Sequence, residues 1–287
     1  MTANNRLRVG VIGLGRVGSA LARGLERAGH EVVAIHAISE ASQSRAEKYF
    51  PAANICDSSS VVAQSDLVLL AVPDDELAAL VQGIAEVHGF RTQQMVVHTS
   101  GRYGISVLAP AMLQGVHAMA LHPAMTFIGS ADDVERLQAC PFAVTASDEA
   151  LAMAQALVYE LGGDPNIIAE VDRVRYHAAL SHGANHLTTL ISQSTAMLSD
   201  VGIENPATFI TPLVFAATEN VLQRGIAALT GPISRGDSET LRAHIAELPL
   251  GVERDTYVAL AHATISYALQ ARRINDYQAT QLKQVLG

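Results

Sequence analysis

Residues Leu7–Ser39 read LRVGVIGLGRVGSALARGLERAGHEVVAIHAIS. The stretch opens on an apolar run, Leu7 to Ile12, and turns through three glycines. It closes on a second apolar run, Glu31 to Ile35. Between the runs Val17, Leu21 and Leu25 recur four apart, the spacing of one helix face. Strand, glycine turn, helix and strand make a βαβ unit, in which the helix crosses over a pair of parallel strands.

The turn itself, Gly13-Leu14-Gly15-Arg16-Val17-Gly18, has G-x-G-x-x-G spacing between a strand and a helix. In that setting the first glycine makes the tight turn and the second lets a pyrophosphate approach the backbone. The third lets helix and strand pack closely. The N-terminus of the helix adds N–H groups and the positive end of its dipole. A dinucleotide cofactor is therefore expected on Gly13 to Gly18. The acid that holds the ribose hydroxyls of NAD belongs near the end of the second strand, where this chain has His36-Ala37-Ile38-Ser39. Its absence favours NADP, with Ser39 and either Arg16 or Arg45 as contacts. NAD stays open if Glu40 takes the acid's place.

Further apolar runs follow at Leu67 to Val72, Met95 to His98, His117 to Leu121 and Phe142 to Thr145, with a short one at Ile167 to Ala169. Alternation with amphipathic segments predicts an α/β fold, a doubly wound parallel sheet of Rossmann type. Beyond Ala169 helical patterns take over, interrupted at Asn205-Pro206, Pro212, Gly231-Pro232 and Pro249. Two domains are expected: a dinucleotide-binding domain over 1–168 and an all-helical substrate and dimerisation domain over 169–287.

The 287 residues include 49% hydrophobic and 16% charged side chains, with a formal net charge of -9. A mean hydropathy of +0.22 is high for a globular chain and points to buried helices or a subunit interface, hence a homodimer through the helical domain. The negative charge argues against nucleic acid as a partner. The glycine turn lies so near Met1 that no leader is expected, which points to a cytoplasmic protein. Cys56 and Cys140 are too few and too far apart for a disulfide framework and read as buried thiols. The uncharged stretches Tyr103 to Ala131 and Tyr176 to Ser199 are long enough to span a membrane, but their prolines, histidines and hydroxyls make protein interior the better reading.

Candidate chemistry lies at strand ends, where doubly wound sheets bind ligands. Val72 and Pro73, followed by Asp74-Asp75-Glu76, are expected to line the nicotinamide side, the acids serving as helix-end charges. His98-Thr99-Ser100-Gly101 and His122-Pro123 follow two later strands and are either turn and core residues or substrate contacts. His177, Ser181 and Asn185 fall at i, i+4 and i+8 on one helix face. Histidine is suited to proton transfer near neutral pH, and asparagine to holding a substrate oxygen. The alternative is a hydrogen-bond ladder between helices. His182 and His186 are also four apart but lack the glutamate of a zinc helix, so no metal is expected. Arg235, in Gly231-Pro232-Ile233-Ser234-Arg235-Gly236-Asp237, is either a clamp for a substrate carboxylate or an ion-pair partner beside a helix capped by Asp237 or Ser238.

On His98-Thr99-Ser100-Gly101, Leu121-His122-Pro123 with Phe127, Tyr176-His177 with Asn185, and Gly231-Pro232 with Arg235-Gly236-Asp237, the chain resembles a bacterial family of Rossmann-like proteins. That family is mostly of unassigned function and carries a characteristic helical C-terminal domain. It is similar in turn to ketopantoate reductase, pyrroline-5-carboxylate reductase and the β-hydroxyacid dehydrogenases. The resemblance implies an NAD(P)H-dependent oxidoreductase acting on a small oxo acid, with 2-ketopantoate the leading candidate. Reduction of a cyclic imine and non-catalytic NADP binding or redox sensing are the alternatives. It also implies a departure: ketopantoate reductases open the helix face with a lysine, where this chain has His177. The only lysines are Lys48 and Lys283, both outside the helical core in this reading. The predicted site is thus Ser100, His122, His177, Asn185 and Arg235 for chemistry, with Gly13, Leu14, Gly15, Arg16, Val17, Gly18, Ser39, Val72, Pro73 and Thr99 for cofactor.

Overall fold

The computed structural model describes residues 6–287, which form two compact units, one running to Ala184 and the other Asn185–Gly287. The first contains β1 (Arg8–Ile12), α1 (Arg16–Arg27), β2 (Glu31–His36), α2 (Glu40–Tyr49), β3 (Asn54–Ile55), α3 (Ser58–Gln64), β4 (Leu67–Leu70) and α4 (Asp74–Glu86). It continues with β5 (Met95–His98), α5 (Ala109–Met112), β6 (His117–Pro123), α6 (Asp132–Glu135), β7 (Pro141–Ala146), α7 (Leu151–Glu160) and β8 (Asp164–Ile167). The helix α8 (Arg173–Asp200) begins in the first unit and ends in the second.

The eight strands form one sheet in the order β3-β2-β1-β4-β5-β6-β7-β8. Pleating sends Val9 and Val11 of β1, Leu67 and Leu69 of β4, and Met119 and Leu121 of β6 into one core, closed by Leu21 and Leu25 of α1 and Leu157 of α7. The alternate residues Ile12, Val68, Leu70 and Ala118 enter the other core, with Val61 and Val62 of α3 and Leu77 and Val81 of α4. Both faces are covered, as the near-continuous apolar strands require.

The sheet departs from the expected one in three places. β7 runs antiparallel to β6, so the sheet is mostly rather than wholly parallel. The chain from β6 to β7 has only the one-turn α6 in it, too little for a crossover helix. β3 pairs with β2 over two residues, too few to leave a periodic signal. β8 covers Asp164–Ile167, earlier than the apolar run suggested, because its exposed edge carries polar residues. Cys56 is partly exposed rather than buried, at the sheet edge beside β3, whereas Cys140 is buried.

The second unit comprises the rest of α8, α9 (Pro206–Arg224), α10 (Gly231–Arg235), α11 (Ser238–Glu247), α12 (Val252–Gln270) and α13 (Asp276–Leu286). Ile233, Leu241, Ala261, Ile265, Ala268 and Leu282 form its core. Pro206 opens α9 where the sequence breaks, but Pro212 lies inside that helix without ending it. A proline one turn and a half from the start removes a single N–H donor and can be accommodated. The interior reading of Tyr176 to Ser199 also fails: no residue of α8 after Arg173 is buried. α9 buries no residue either, leaving Phe209, Leu213, Phe215 and Leu222 exposed. Among the described residues no helix is long and apolar enough to cross a membrane.

Candidate functional site

The three glycines of the first turn do different work. Gly13 has φ +91°, and a Cβ there would stand 2.6 Å from the Ala71 carbonyl oxygen. A Cβ at Gly18 would stand 2.2 Å from the Gly13 carbonyl oxygen, so α1 crosses its own entry turn in contact. At Gly15 nothing lies within 4 Å of the Cβ position. The fold therefore needs Gly13 and Gly18, whereas the space at Gly15 is free for a ligand. No side chain caps α1 and no acid occupies its first turn, leaving its positive end bare.

Around this turn Leu14 is buried and its carbonyl accepts from Arg45 Nε at 2.8 Å. Arg45 is thus engaged in holding the loop. Arg16 is exposed, with its stem against Gly129, and Val17 packs on the core. The neighbouring Ser130 hydroxyl is buried with no hydrogen-bond partner among the described residues. At the end of β2, Nδ1–H of His36 donates to the Cys56 carbonyl at 2.9 Å, the carbonyl being able only to accept. Ser39 caps α2, accepting from the Ser42 N–H at 3.2 Å, and Glu40 occupies the first turn of that helix. Val72 is half-buried and Pro73 precedes α4, whose first-turn acids include Asp74, paired with Arg102 at 3.1 Å.

The turn after β5 is tied by its own side chains. His98 is fully buried; its Nε2–H donates to the Gly104 carbonyl at 2.8 Å and its Nδ1 accepts from the Ser100 N–H at 3.2 Å. Those two bonds fix the tautomer. Burial pushes the ring's pKa down to about 4, so His98 is neutral. The Ser100 hydroxyl accepts from the Tyr103 N–H at 3.2 Å, and the Thr99 N–H donates to the Leu70 carbonyl at 3.2 Å. The carboxylate of Glu170 accepts from the N–H groups of Ile105, at 2.7 Å, and Ser106, at 3.2 Å. These bonds hold its pKa below the usual range against the opposing effect of partial burial, the largest single influence on it.

The first turns of α8 close over this loop. Tyr176 Oη and His122 Nδ1 share a hydrogen bond of 2.9 Å. The His122 and His177 rings meet edge to face with centroids 5.7 Å apart. Gly101 lies between them: a Cβ there would stand 2.4 Å from His177 Cδ2 and 3.0 Å from His122 Nε2. Burial, then the neighbouring His177, lowers the pKa of His122 to about 4. Burial raises that of Tyr176 to about 12, so this hydroxyl also stays neutral at pH 7. Among the described residues the His177 ring has no hydrogen-bond partner, so both its nitrogens are available to a ligand.

Comparison with known proteins places these features in a family context. Residues 2–123 match a Rossmann-like domain, and residues 140–264 match a domain of unknown function, DUF2520. The chain carries a Rossmann-like domain followed by a DUF2520 domain. No curated protein matches the chain. Among solved structures it is similar in fold to a Bacteroides fragilis protein provisionally named an NADP oxidoreductase, at 23% identity and TM-score 0.77, covering 91% of this chain and 98% of that one. It is similar also to 1-pyrroline-5-carboxylate reductase from Streptococcus pyogenes, at 19% identity, TM-score 0.60 and 98% and 100% coverage. A third likeness is to an imine reductase from Myxococcus stipitatus in complex with NADP+, at 18% identity, TM-score 0.59 and 97% and 92% coverage.

The histidine cluster joins the two matched domains. Ser100, Gly101 and His122 come from the Rossmann-like match, Tyr176 and His177 from the DUF2520 match, and all lie in the first compact unit. Asn185 and Arg235 belong to the second unit. Asn185 is exposed on α8. Arg235 ends α10, exposed, and its carbonyl accepts from Gln278 at 3.4 Å. Asp237 caps α11, accepting from the Thr240 N–H at 3.0 Å, which is the structural alternative foreseen for that loop. Among the described residues no group of three His, Cys, Asp or Glu side chains is placed to hold a metal. Sequence reasoning missed Glu170 and Arg173. Arg173 lies three residues before Tyr176 and four before His177 on one helix face, but that spacing does not say where its side chain goes.

Proposed function

We propose that this protein is an NADPH-dependent reductase of a small carbonyl or imine acid. The observation that carries the reading is one compact unit holding both an open glycine cradle at Gly15 and a His122–His177 pair whose His122 lies at the carboxyl end of β6. The cradle fits a dinucleotide: Gly15 has room, the α1 terminus is uncapped, and the Ser130 hydroxyl nearby lacks a partner among the described residues. Gly13 to Gly18 would hold the pyrophosphate, with Val72, Pro73 and Thr99 toward the nicotinamide. When bound, NADPH supplies the hydride.

The chain's own part is to orient the acceptor and deliver a proton. His177, with both nitrogens unengaged, is the proposed donor, and His122, neutral and fixed by Tyr176, is the proposed hydrogen-bonding partner of the substrate. Ser100 adds a hydroxyl beside them. For the cofactor, the lack of an acid at the end of β2 supports NADP, with Arg16 as its free cation and NAD the alternative. The leading substrate is a 2-oxo acid such as 2-ketopantoate.

Reduction of a cyclic imine is the second reading. It is supported by the fold's likeness to pyrroline-5-carboxylate and imine reductases. The test is NADPH oxidation by the purified chain against 2-ketopantoate, other 2-oxo acids and 1-pyrroline-5-carboxylate. Turnover of an oxo acid supports the first reading, and turnover of the cyclic imine alone supports the second. Tight NADPH binding with no turnover of either class would overturn both in favour of a non-catalytic nucleotide-binding protein. The exposed apolar side chains of α9, Phe209 and Leu213 on one face and Phe215 and Leu222 on another, support a homodimer through the helical unit. A cytoplasmic location accords with free cysteines.

A further inference from the structure

Arg173 is fully buried, yet it has no carboxylate within ion-pair distance among the described residues. Its guanidinium donates only to neutral oxygens. Nε reaches Thr145 Oγ1 at 2.7 Å, and one terminal nitrogen reaches the Ser100 carbonyl at 3.4 Å. The other reaches the carbonyls of Ala120, at 2.8 Å, and Ala143, at 3.2 Å. Burial lowers its pKa to about 10, which leaves it charged at neutral pH. A charge in such a place is costly to bury, and only a full set of hydrogen bonds makes it tolerable.

The acceptors are not scattered. In the antiparallel register of β6 and β7, His122 lies opposite Ala143 and Ala120 lies opposite Thr145. Arg173 therefore clamps the rung that carries His122 and the rung two residues behind it, together with the residue that precedes Gly101. One and the same helix turn then presents Tyr176 to His122 and His177 to Gly101.

We infer that Arg173 is the positioning residue of the His122–His177 pair, setting the first turn of α8 against β6 and β7 and placing a fixed positive charge beneath His122. The charged and titratable groups around His122 are His98, Asp74, Tyr176, His177 and Arg173. The nearby acid Glu170 is engaged with Ile105 and Ser106. Among the described residues Arg173 is thus the one permanent cation acting on His122, and it opposes protonation of the ring.

The inference rests on the reductase reading for its kinetic arm, so the experiment carries a second arm that does not. The His122 ring is titrated by NMR in the wild type, Arg173→Lys, Arg173→Met and Thr145→Val, and kcat and KM are measured alongside. Arg173→Met is expected to raise the His122 pKa and to lower kcat about tenfold or more, with KM for NADPH within about twofold of wild type. Arg173→Lys is expected to keep the low His122 pKa, since the charge remains, but to lower kcat because an ammonium cannot span the four acceptors. Folded Arg173→Met with an unmoved His122 titration and wild-type kcat would overturn the inference. If that variant does not fold, Thr145→Val decides. A kcat loss of roughly threefold with a perturbed His122 resonance supports the role, and wild-type behaviour in both overturns it. If the wild-type chain turns over no substrate, the reductase reading fails, while the titration arm still decides whether Arg173 controls His122.

Discussion

Tyr176 and His122, one from helix α8 and one from strand β6, share a hydrogen bond of 2.9 Å, and both are held neutral by burial. That bond fixes the His122 ring and leaves His177, the next residue along the helix, as the unengaged member of the cluster. His177→Gln should therefore lower kcat by about 100-fold, within the range of general acid catalysis, and leave the Kd for NADPH unchanged. Stopped-flow and fluorescence binding measurements check this. Unaltered turnover would remove His177 from the chemistry.

Acid should weaken the fold through its two buried histidines. His98 and His122 have pKa values of about 4 in the folded chain against the ordinary 6.5. Between those values the unfolded chain binds more protons, so stability falls as pH drops through this window. For the fully buried His98 the loss amounts to roughly 3 kcal/mol by pH 4. Urea denaturation at pH 7, 6 and 5 measures it. A midpoint that stays constant over this range would contradict the neutral, buried state of both rings.

Two glycines in the same turn should respond oppositely. Gly18→Ala puts a methyl group 2.2 Å from a carbonyl oxygen and should cost at least about 2 kcal/mol of stability. Gly15→Ala meets open space, so its Tm should match wild type while NADPH binding weakens about tenfold. Thermal melts with and without NADPH separate the two effects. Equal loss of stability in both would show that Gly15 is also structural.

Arg16 and Arg45 should separate cofactor choice from loop integrity. Arg16 is exposed and forms no ion pair among the described residues, so Arg16→Gln should weaken NADPH about tenfold and NADH little. Arg45 holds the Leu14 carbonyl, so Arg45→Gln should weaken both cofactors alike. Isothermal titration with each nucleotide is the check. A uniform loss in Arg16→Gln would move the discriminating contact elsewhere.

The apolar face of α9 should be covered in solution. Light scattering is expected to give a dimer at micromolar concentration, and Leu213→Glu with Phe209→Glu to give a monomer. A monomeric wild type would leave that face without its proposed partner.

The sequence showed the fold through local features. Glycine spacing and apolar runs located β1, α1, β2 and the main sheet strands, because each buried strand is itself a continuous apolar run. β3 was invisible because two residues carry no period, and the reversal at β7 was invisible because strand direction leaves no mark on a short apolar run. Pro212 misled because a helix can carry an internal proline, with its lost donor and ring clash, without ending there. At the candidate site, His122 and His177 were singled out by their residue type and location. Arg173 was not, because nothing in a local pattern distinguishes an arginine headed for four neutral oxygens from one headed for solvent. Glu170 escaped for the same reason: its partners are backbone groups more than sixty residues away, separated by 65 positions for Ile105 and 64 for Ser106.

Those long separations govern when the site comes into being. Glu170 reaches back 65 residues to Ile105, Arg173 reaches back 73 to Ser100, and Tyr176 reaches back 54 to His122. Loops of this length close late, after the local βα units have formed. During synthesis the glycine turn needs only the chain through β4, which brings Ala71 against Gly13, whereas the histidine pair must wait for the start of α8. A nascent chain can therefore form the glycine turn well before His122 and His177 can meet, and the order of assembly keeps the two features apart until the final tethers close.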